Sequence, residues 1–595
     1  MPGVVFRVRA RDASARLGEI RTKSGTLETP VFFPVFNPNK PYLSPMEMSE
    51  IGAQTVMTNA YIIYRTPRLR ERALEEGIHS LLGFEGVVAT DSGAYQIYRY
   101  GDIEVTNLEI VRFQHEIGSD IGSIVDVPMA DDIAREAAER GVEVTLRHAR
   151  EWSEVRDSLR GTLWIGTPQG SVYGDLVERA SREMASLDFD YYGVGSIKKS
   201  LESYDYATQV DHFLTVRRLI PRGKPVHFWG IGHPSTFALF AAMGADSFDS
   251  AAYALFAEDG RYMTPLGTME LSDIEEFPCS CPVCRSYTPR ELMSAPRSER
   301  VRALAAHNLH VSIQEMRLVR EAIRGGWLWE LVQERVRAHP RLLEALLRLL
   351  ERYGDYLEEN EPFSKRSGLF YSGPETAMRP EVRRAVRLLK RVERGRTYED
   401  PLFGPVPLGL RYTYPFGHAM IPGFREPPED PTDREIVEAV LSYQFGPEAL
   451  SVLEGRELVV SRSKRTGMPR DILIDGERFG FLRPYDGLVV LSLEGARRLL
   501  ECLPRPSSRV VVHDRYAETV ARGTSVFVRF VREVDPAVRP GSEVIIVDGS
   551  DNLLATGRAV LSAAEVPEFP AGHVFAKVRH HVLPRQNPST MDWST

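Results

Sequence analysis

Three aspartates in this sequence each close a short apolar run. Asp91 follows Gly86-Val87-Val88-Ala89-Thr90, Asp126 follows Ile124-Val125, and Asp249 ends Asp246-Ser247-Phe248. A carboxylate at the end of a strand can serve as acid, base or nucleophile. Any one of them also reads as an N-cap opening the next helix. Three such residues at three strand ends, however, would converge on one mouth if the strands form a barrel. Other strand ends carry recognition chemistry. Gln169, after Ile165-Gly166-Thr167-Pro168, offers both a donor and an acceptor, and Gly193 and Gly195 let a ligand approach the backbone. Tyr95 and Trp229 present ring faces, although core packing is the commoner use of such rings. The mixture suits a planar heterocycle: a carboxylate accepts from the ring N–H and amino group of a guanine-like edge while an aromatic face stacks on the base.

A second constellation is Cys279-Ser-Cys281-Pro-Val-Cys284. Only four cysteines occur in the chain, and three of them lie in these six residues, which is metal spacing rather than a disulfide framework. With a histidine from the following helix, His307 or His310, they make a closed tetrahedral set for Zn²⁺. A closed set organises structure and does not activate water. The fourth cysteine, Cys502, has no histidine or basic cluster beside it and reads as a small buried hydrophobe.

These residues need a scaffold. From Val31 to about Ala252 short apolar runs alternate with helix-like stretches, the runs including residues 55–59, 86–91, 122–127, 162–170, 190–196, 225–232 and 245–250. Residues 132–159 repeat apolar positions at helical spacing. Strands alternating with helices over this length predict a (β/α) barrel, with a doubly wound open sheet giving the same local pattern. We therefore expect a catalytic domain over residues 1–338, including a zinc subdomain at about 278–310. Residues 341–362 read as a helix ending in a solvated acidic run and linker. Two α+β domains are expected over 339–430 and 431–506. Residues 507–583 alternate apolar positions at period two with turns at Arg539-Pro540-Gly541 and Asp548-Gly549, as a small β-barrel-like module would.

A length of 595 residues is too great for one core, and no apolar run approaches the ~18 residues of a membrane helix. The N-terminus lacks the apolar segment and cleavage site of a signal peptide, so a cytoplasmic protein is expected. The net charge of −8 is not that of a typical nucleic-acid binder, so RNA binding would require a local basic groove.

Taken together, several motifs resemble the archaeal tRNA-guanine transglycosylase family. They are Asp91-Ser92-Gly93-x-x-Gln96, Gln169-Gly170, Glu202-Ser203-Tyr204, His233-Pro234, Phe248-Asp249-Ser250-Ala251-Ala252-Tyr253 and the cysteine–histidine set. Tyr414-Pro415-Phe416-Gly417 resembles the family's first C-terminal domain and residues 507–583 its PUA domain, so the likeness spans essentially the whole chain. It implies an α/β fold: a TIM barrel with a zinc subdomain, then α+β domains and a β-rich PUA domain that grip tRNA. It implies exchange of guanine at position 15 of the tRNA D arm for 7-cyano-7-deazaguanine (preQ0), the first tRNA step of archaeosine synthesis. Asp249 matches the family nucleophile and Asp91 its second catalytic aspartate. Asp126 and Gln169 match base-recognition positions, Gly195 and Ser196 fall where the family's base-recognition stretch lies, and Tyr95 and Trp229 match the flanking aromatics. The resemblance also selects His307 as the fourth ligand of one structural zinc and implies a homodimer, while the lack of a membrane-length apolar run predicts no membrane association.

One departure is clear. Where the family has a Gly-Gly-Val-Val-Pro-like stretch, this chain reads Gly195-Ser196-Ile197-Lys198-Lys199-Ser200-Leu201, which alters the floor or rim of the base pocket. The competing readings are an archaeosine-synthase-type paralog, a non-catalytic tRNA-binding subunit and a metal-dependent TIM-barrel hydrolase. Retention of both Asp91 and Asp249 argues against the first two, and the closed ligand set against the third.

Overall fold

The computed structural model describes residues 6–94, 105–195, 197–393 and 395–584, so Tyr95, Gln96 and Ser196 lie outside the described residues. Two compact units emerge, Met1–Arg324 with Leu331–Arg352 and Gly325–Glu330 with Tyr353–Thr595.

In the first unit eight parallel strands form the barrel: β1 (Val31–Pro34), β2 (Thr55–Asn59), β3 (Val87–Asp91), β4 (Ile121–Ser123), β5 (Leu163–Gly166), β6 (Tyr191–Gly195), β7 (Val226–Trp229) and β8 (Ser247–Ser250). Sequential strands are neighbours, β8 pairs with β1, and a parallel bridge from Val35 to Met57 joins β1 to β2. That closure excludes the open doubly wound sheet. β1 is too short, at four residues, for its periodicity to be read from the sequence. The expected helix at 132–159 is Arg135–Val155 followed by a 3₁₀ turn at Arg156–Leu159, burying Ala138, Val142, Leu146, Ala149 and Trp152 on one face.

Strand alternation decides which side chains reach the barrel interior. Phe228 of β7 packs outward on Phe213 and Phe240, with ring centroids 4.9 and 5.0 Å apart, and Phe248 of β8 packs on Phe237. Their neighbours His227, Trp229, Ser247 and Asp249 are thereby turned inward. At the opposite end of β8 the buried Asp246 accepts from Arg16 Nε at 3.0 Å and from the Val226 amide at 2.8 Å. This buried pair ties the N-terminal three-stranded sheet (Phe6–Asp12, Ala15–Arg21, Thr26–Thr29) to the barrel. Asp246 and Asp249, three residues apart, thus serve opposite ends of the barrel.

The second unit has one continuous hydrophobic core, running from Leu369 through the helix Asp433–Phe445 and the helix Leu493–Cys502 to Val511, Ile545 and Val547. It contains a four-stranded antiparallel sheet (Leu458–Arg462, Pro469–Ile474, Glu477–Leu482, Val489–Leu491) and a six-stranded sheet built from residues 509–581. Cys502 packs at the edge of this core. The acidic run at the end of 341–362 is not solvated as the sequence suggests. Glu361 is buried, accepting from Trp329 Nε1 at 2.9 Å and pairing with Lys365 at 2.7 Å, and Glu358 pairs with Arg387. Trp329 and Arg387, both distant in sequence, contribute to this compensation, and local charge patterning does not reveal them. Among the described residues no helix is long and apolar enough to cross a membrane.

Candidate active site and metal centre

The C-terminal ends of the barrel strands open into a cleft of about 1890 Å³ lined by Asp91, Asp126, Gln169, Gly195, Trp229 and Asp249. The three aspartates singled out by their positions in the sequence therefore share one site. Asp91 ends β3 in register with Asn59 of β2, whose Nδ2 donates to Asp91 Oδ2 at 3.1 Å. Burial pushes the Asp91 carboxyl up to about 7, reinforced by the nearby carboxylates of Asp126 and Asp249 and opposed by the backbone N–H groups of Gly93 and Ser92. Gly93 has φ of 81°, and a Cβ there would meet Tyr61, so this turn needs glycine. Asp126 is pushed up to about 6 by burial, against the hydrogen bond that Gln169 Nε2 donates to its Oδ2 at 2.5 Å.

Asp249 is held differently. Its Oδ1 accepts from the Gly230 amide at 2.8 Å and pairs with His227 Nε2 at 3.0 Å. Trp229 is fixed by donating from Nε1 to Thr167 Oγ1 at 3.1 Å. A Cβ on Gly193 would lie 2.3 Å from both of those atoms, so glycine permits this close approach. The arrangement combines carboxyls that hold protons near neutrality, a separately anchored carboxylate and an oriented indole. His227, Asn59 and Thr167 were not singled out by sequence. His227 sits inside the apolar run 225–232, where only a settled strand phase would mark it as inward-facing.

The sulfur atoms of Cys279, Cys281 and Cys284 and Nδ1 of His307 lie within 4.8 Å of one another. Cys281 Sγ is 3.6 Å from Cys284 Sγ and 3.5 Å from His307 Nδ1. A tetrahedral zinc with Zn–S bonds of ~2.3 Å requires S···S edges of roughly 3.8 Å, so the donor set fits a metal ion. His307 Nε2 donates to the Met263 carbonyl at 2.9 Å, which leaves Nδ1 as the lone-pair donor, and Tyr262 stacks on the ring at 3.7 Å. His310 stands outside the group.

Comparison with known proteins supplies the context for these two sites. Residues 12–341 match the family model for queuine tRNA-ribosyltransferase, 435–506 that for the patch-forming domain C2 of tRNA-guanine transglycosylase, and 508–582 that for the PUA domain. The tRNA-guanine(15) transglycosylase of Korarchaeum cryptofilum is 57% identical, covering 99% of this chain and 100% of the relative. The chain belongs to the tRNA-guanine transglycosylase family. The tRNA-guanine(15) transglycosylase of Thermococcus kodakarensis is 45% identical over 97% of this chain and 99% of the relative, and that of Methanocaldococcus jannaschii is 38% identical over 97% and 99%.

Within this family member Gly195 closes β6, and further along the departing stretch lies a short helix, Lys198–Glu202. Lys199 is exposed and 3.7 Å from Asp132, and Ser200 donates its amide to Asp131 at 3.1 Å. The second unit also carries a crevice of about 460 Å³ whose lining includes Arg478, Phe481, Glu494, Arg579, His580 and His581, on a chain of net negative charge. Arg478 pairs with Asp471 and Arg579 with Glu543, so their charge is partly compensated.

Proposed function

We propose that this chain exchanges guanine at position 15 of tRNA for preQ0 through a covalent aspartyl-ribose intermediate. What carries the reading is the meeting of Asp91, Asp126 and Asp249 in one cleft of a full-length family member. Asp249 is the nucleophile: a carboxylate oxygen bonds to ribose C1′ as the C1′–N9 bond breaks and the electron pair leaves with guanine. Asp91, with a proton affinity near neutrality, protonates the departing base and then takes the N9 proton of incoming preQ0. The second attack at C1′ expels the Asp249 carboxylate, so the exchange is balanced without ATP.

Asp126 and Gln169 hold the polar edge of the base at the floor formed by Gly195 and Ser196. Trp229 supplies one aromatic wall and Tyr95 the other, the assignments of Tyr95 and Ser196 resting on the resemblance alone. Cys279, Cys281, Cys284 and His307 hold a structural Zn²⁺, which when bound crosslinks the segment after the barrel and supplies no step of the reaction. The expected domains at 339–430, 431–506 and 507–583 serve tRNA binding, in a cytoplasmic homodimer. The test is incorporation of labelled guanine or preQ0 into unmodified archaeal tRNA beside Asp249→Asn. Incorporation lost in a folded, tRNA-binding variant is expected. Wild-type protein that binds tRNA but incorporates neither base would favour the paralog or the binding-subunit reading.

A further inference from the structure

The inward face of three adjacent strands carries a continuous hydrogen-bond chain ending on Asp249. Tyr191 on β6, His227 on β7 and Ser247 on β8 are brought together because His227 pairs in register with Ser247, while Gly193, two residues after Tyr191, pairs with His227. Tyr191 OH hydrogen-bonds Ser247 Oγ, Ser247 Oγ lies 2.7 Å from His227 Nδ1, and His227 Nε2 lies 3.0 Å from Asp249 Oδ1. All three partners behind Asp249 are fully buried. Rings of Phe33 and Trp229 pack on the imidazole with centroids at 5.4 and 4.3 Å, so His227 has little room to rotate.

The chain has a direction. Each hydroxyl has one proton to give, and Asp249 only accepts. If Tyr191 donates to Ser247 and Ser247 donates to His227 Nδ1, then Nε2 carries the imidazole proton and donates to Asp249 Oδ1. The Gly230 amide donates to the same oxygen at 2.8 Å. Oδ1 therefore accepts two hydrogen bonds, and no hydrogen bond to Oδ2 is found among the described residues. A carboxylate held this way has one anchored oxygen and one available for attack.

We propose that His227 is the positioning residue of the nucleophile, with Tyr191 and Ser247 fixing its tautomer, so that Oδ2 of Asp249 is the atom that bonds to C1′. The proposal rests on Asp249 being the nucleophile. A carboxylate freed to rotate loses alignment with C1′ in the chemical step but not tRNA binding, an effect of about 10- to 100-fold on the rate.

The test uses full-length protein carrying His227→Phe, which keeps a ring but no N–H, His227→Gln, which restores an N–H donor, Ser247→Ala, and the Phe/Ala double variant. Exchange kinetics are measured with Asp249→Asn as a parallel control, and thermal unfolding checks each fold. Expected are a kcat lowered about 10- to 100-fold in His227→Phe with KM for tRNA unchanged, and partial recovery in His227→Gln. Ser247→Ala should have a smaller effect that disappears in the double variant, because Ser247 acts only through His227. A folded His227→Phe enzyme with kcat within twofold of wild type, or additive losses in the double variant, would overturn the positioning role. Exchange surviving in Asp249→Asn would instead overturn the nucleophile on which it rests.

Discussion

Asp91→Asn should inactivate exchange and yet make the barrel unit more stable at alkaline pH. The folded protein raises the Asp91 carboxyl from 3.8 to about 7. A carboxyl with a raised folded value is neutral in both states at low pH and costs nothing there. As pH rises the unfolded chain ionises first, so stability falls progressively and levels off only above the folded value. A rise of roughly 3 units sets a ceiling of ~4 kcal/mol for this cost at pH 8. Water in the cleft screens the charge, and we expect about half, ~2 kcal/mol. With an unfolding entropy of ~2.1 cal/mol/K per residue over about 350 residues, that becomes a gain of roughly 3 °C in Tm. Asparagine keeps the acceptor for the Ser92 and Gly93 amides while removing the charge. Calorimetry from pH 4 to 8 should show the gain of the variant over wild type growing with pH and shrinking toward zero near pH 4. A gain independent of pH, or none at pH 8, would refute the claim that the site holds this carboxyl in an unfavourable charged state.

The neighbouring carboxylates are coupled to this one. Because the Asp126 charge helps to raise Asp91, Asp126→Asn should move the alkaline limb of the kcat/KM profile to lower pH by up to ~1 unit, apart from any loss of base affinity; an unmoved limb would mean that Asp91 does not govern it. Cys281→Ser should lose stoichiometric zinc together with stability, on the order of 4 kcal/mol, because loss of a metal belongs among the large-effect changes; retention of one zinc per chain, measured by atomic emission, would exclude Cys281 as a ligand. If the crevice lined by Arg478 and Arg579 contacts RNA phosphate, Arg478→Glu should weaken tRNA binding by several-fold and flatten its salt dependence by ~1 in the logarithmic slope, leaving kcat at saturating tRNA unchanged. An unaltered slope in filter binding would remove that crevice from the RNA surface.

Much of the first unit is legible in the sequence because barrel strands are short apolar runs ending where polar chemistry begins. Asp91, Asp126, Gln169 and Asp249 stand at or just past such ends, and the alternation of runs and helices carries the fold class. What is not legible depends on phase and on partners distant in sequence. His227 lies in an unbroken apolar run, and only pairing with Gly193 and Ser247 shows that it faces Asp249. Glu361 reads as solvated until Trp329, 32 residues before it, is seen to donate to it. The choice between His307 and His310 likewise depends on helix phase, which turns Nδ1 of His307 toward the cysteines and its Nε2 toward Met263.

Formation of a bond between an oxygen of Asp249 and ribose C1′ distinguishes the proposed reaction from any direct displacement. It is tested most directly by incubating the enzyme with tRNA lacking the second base, quenching in denaturant, and mapping any tRNA–protein adduct by nuclease digestion and peptide mass spectrometry. An adduct is expected on the peptide containing Asp249, absent in Asp249→Asn and discharged by added preQ0. An adduct on Asp91 instead, or efficient exchange by a route through which no adduct forms, would contradict it.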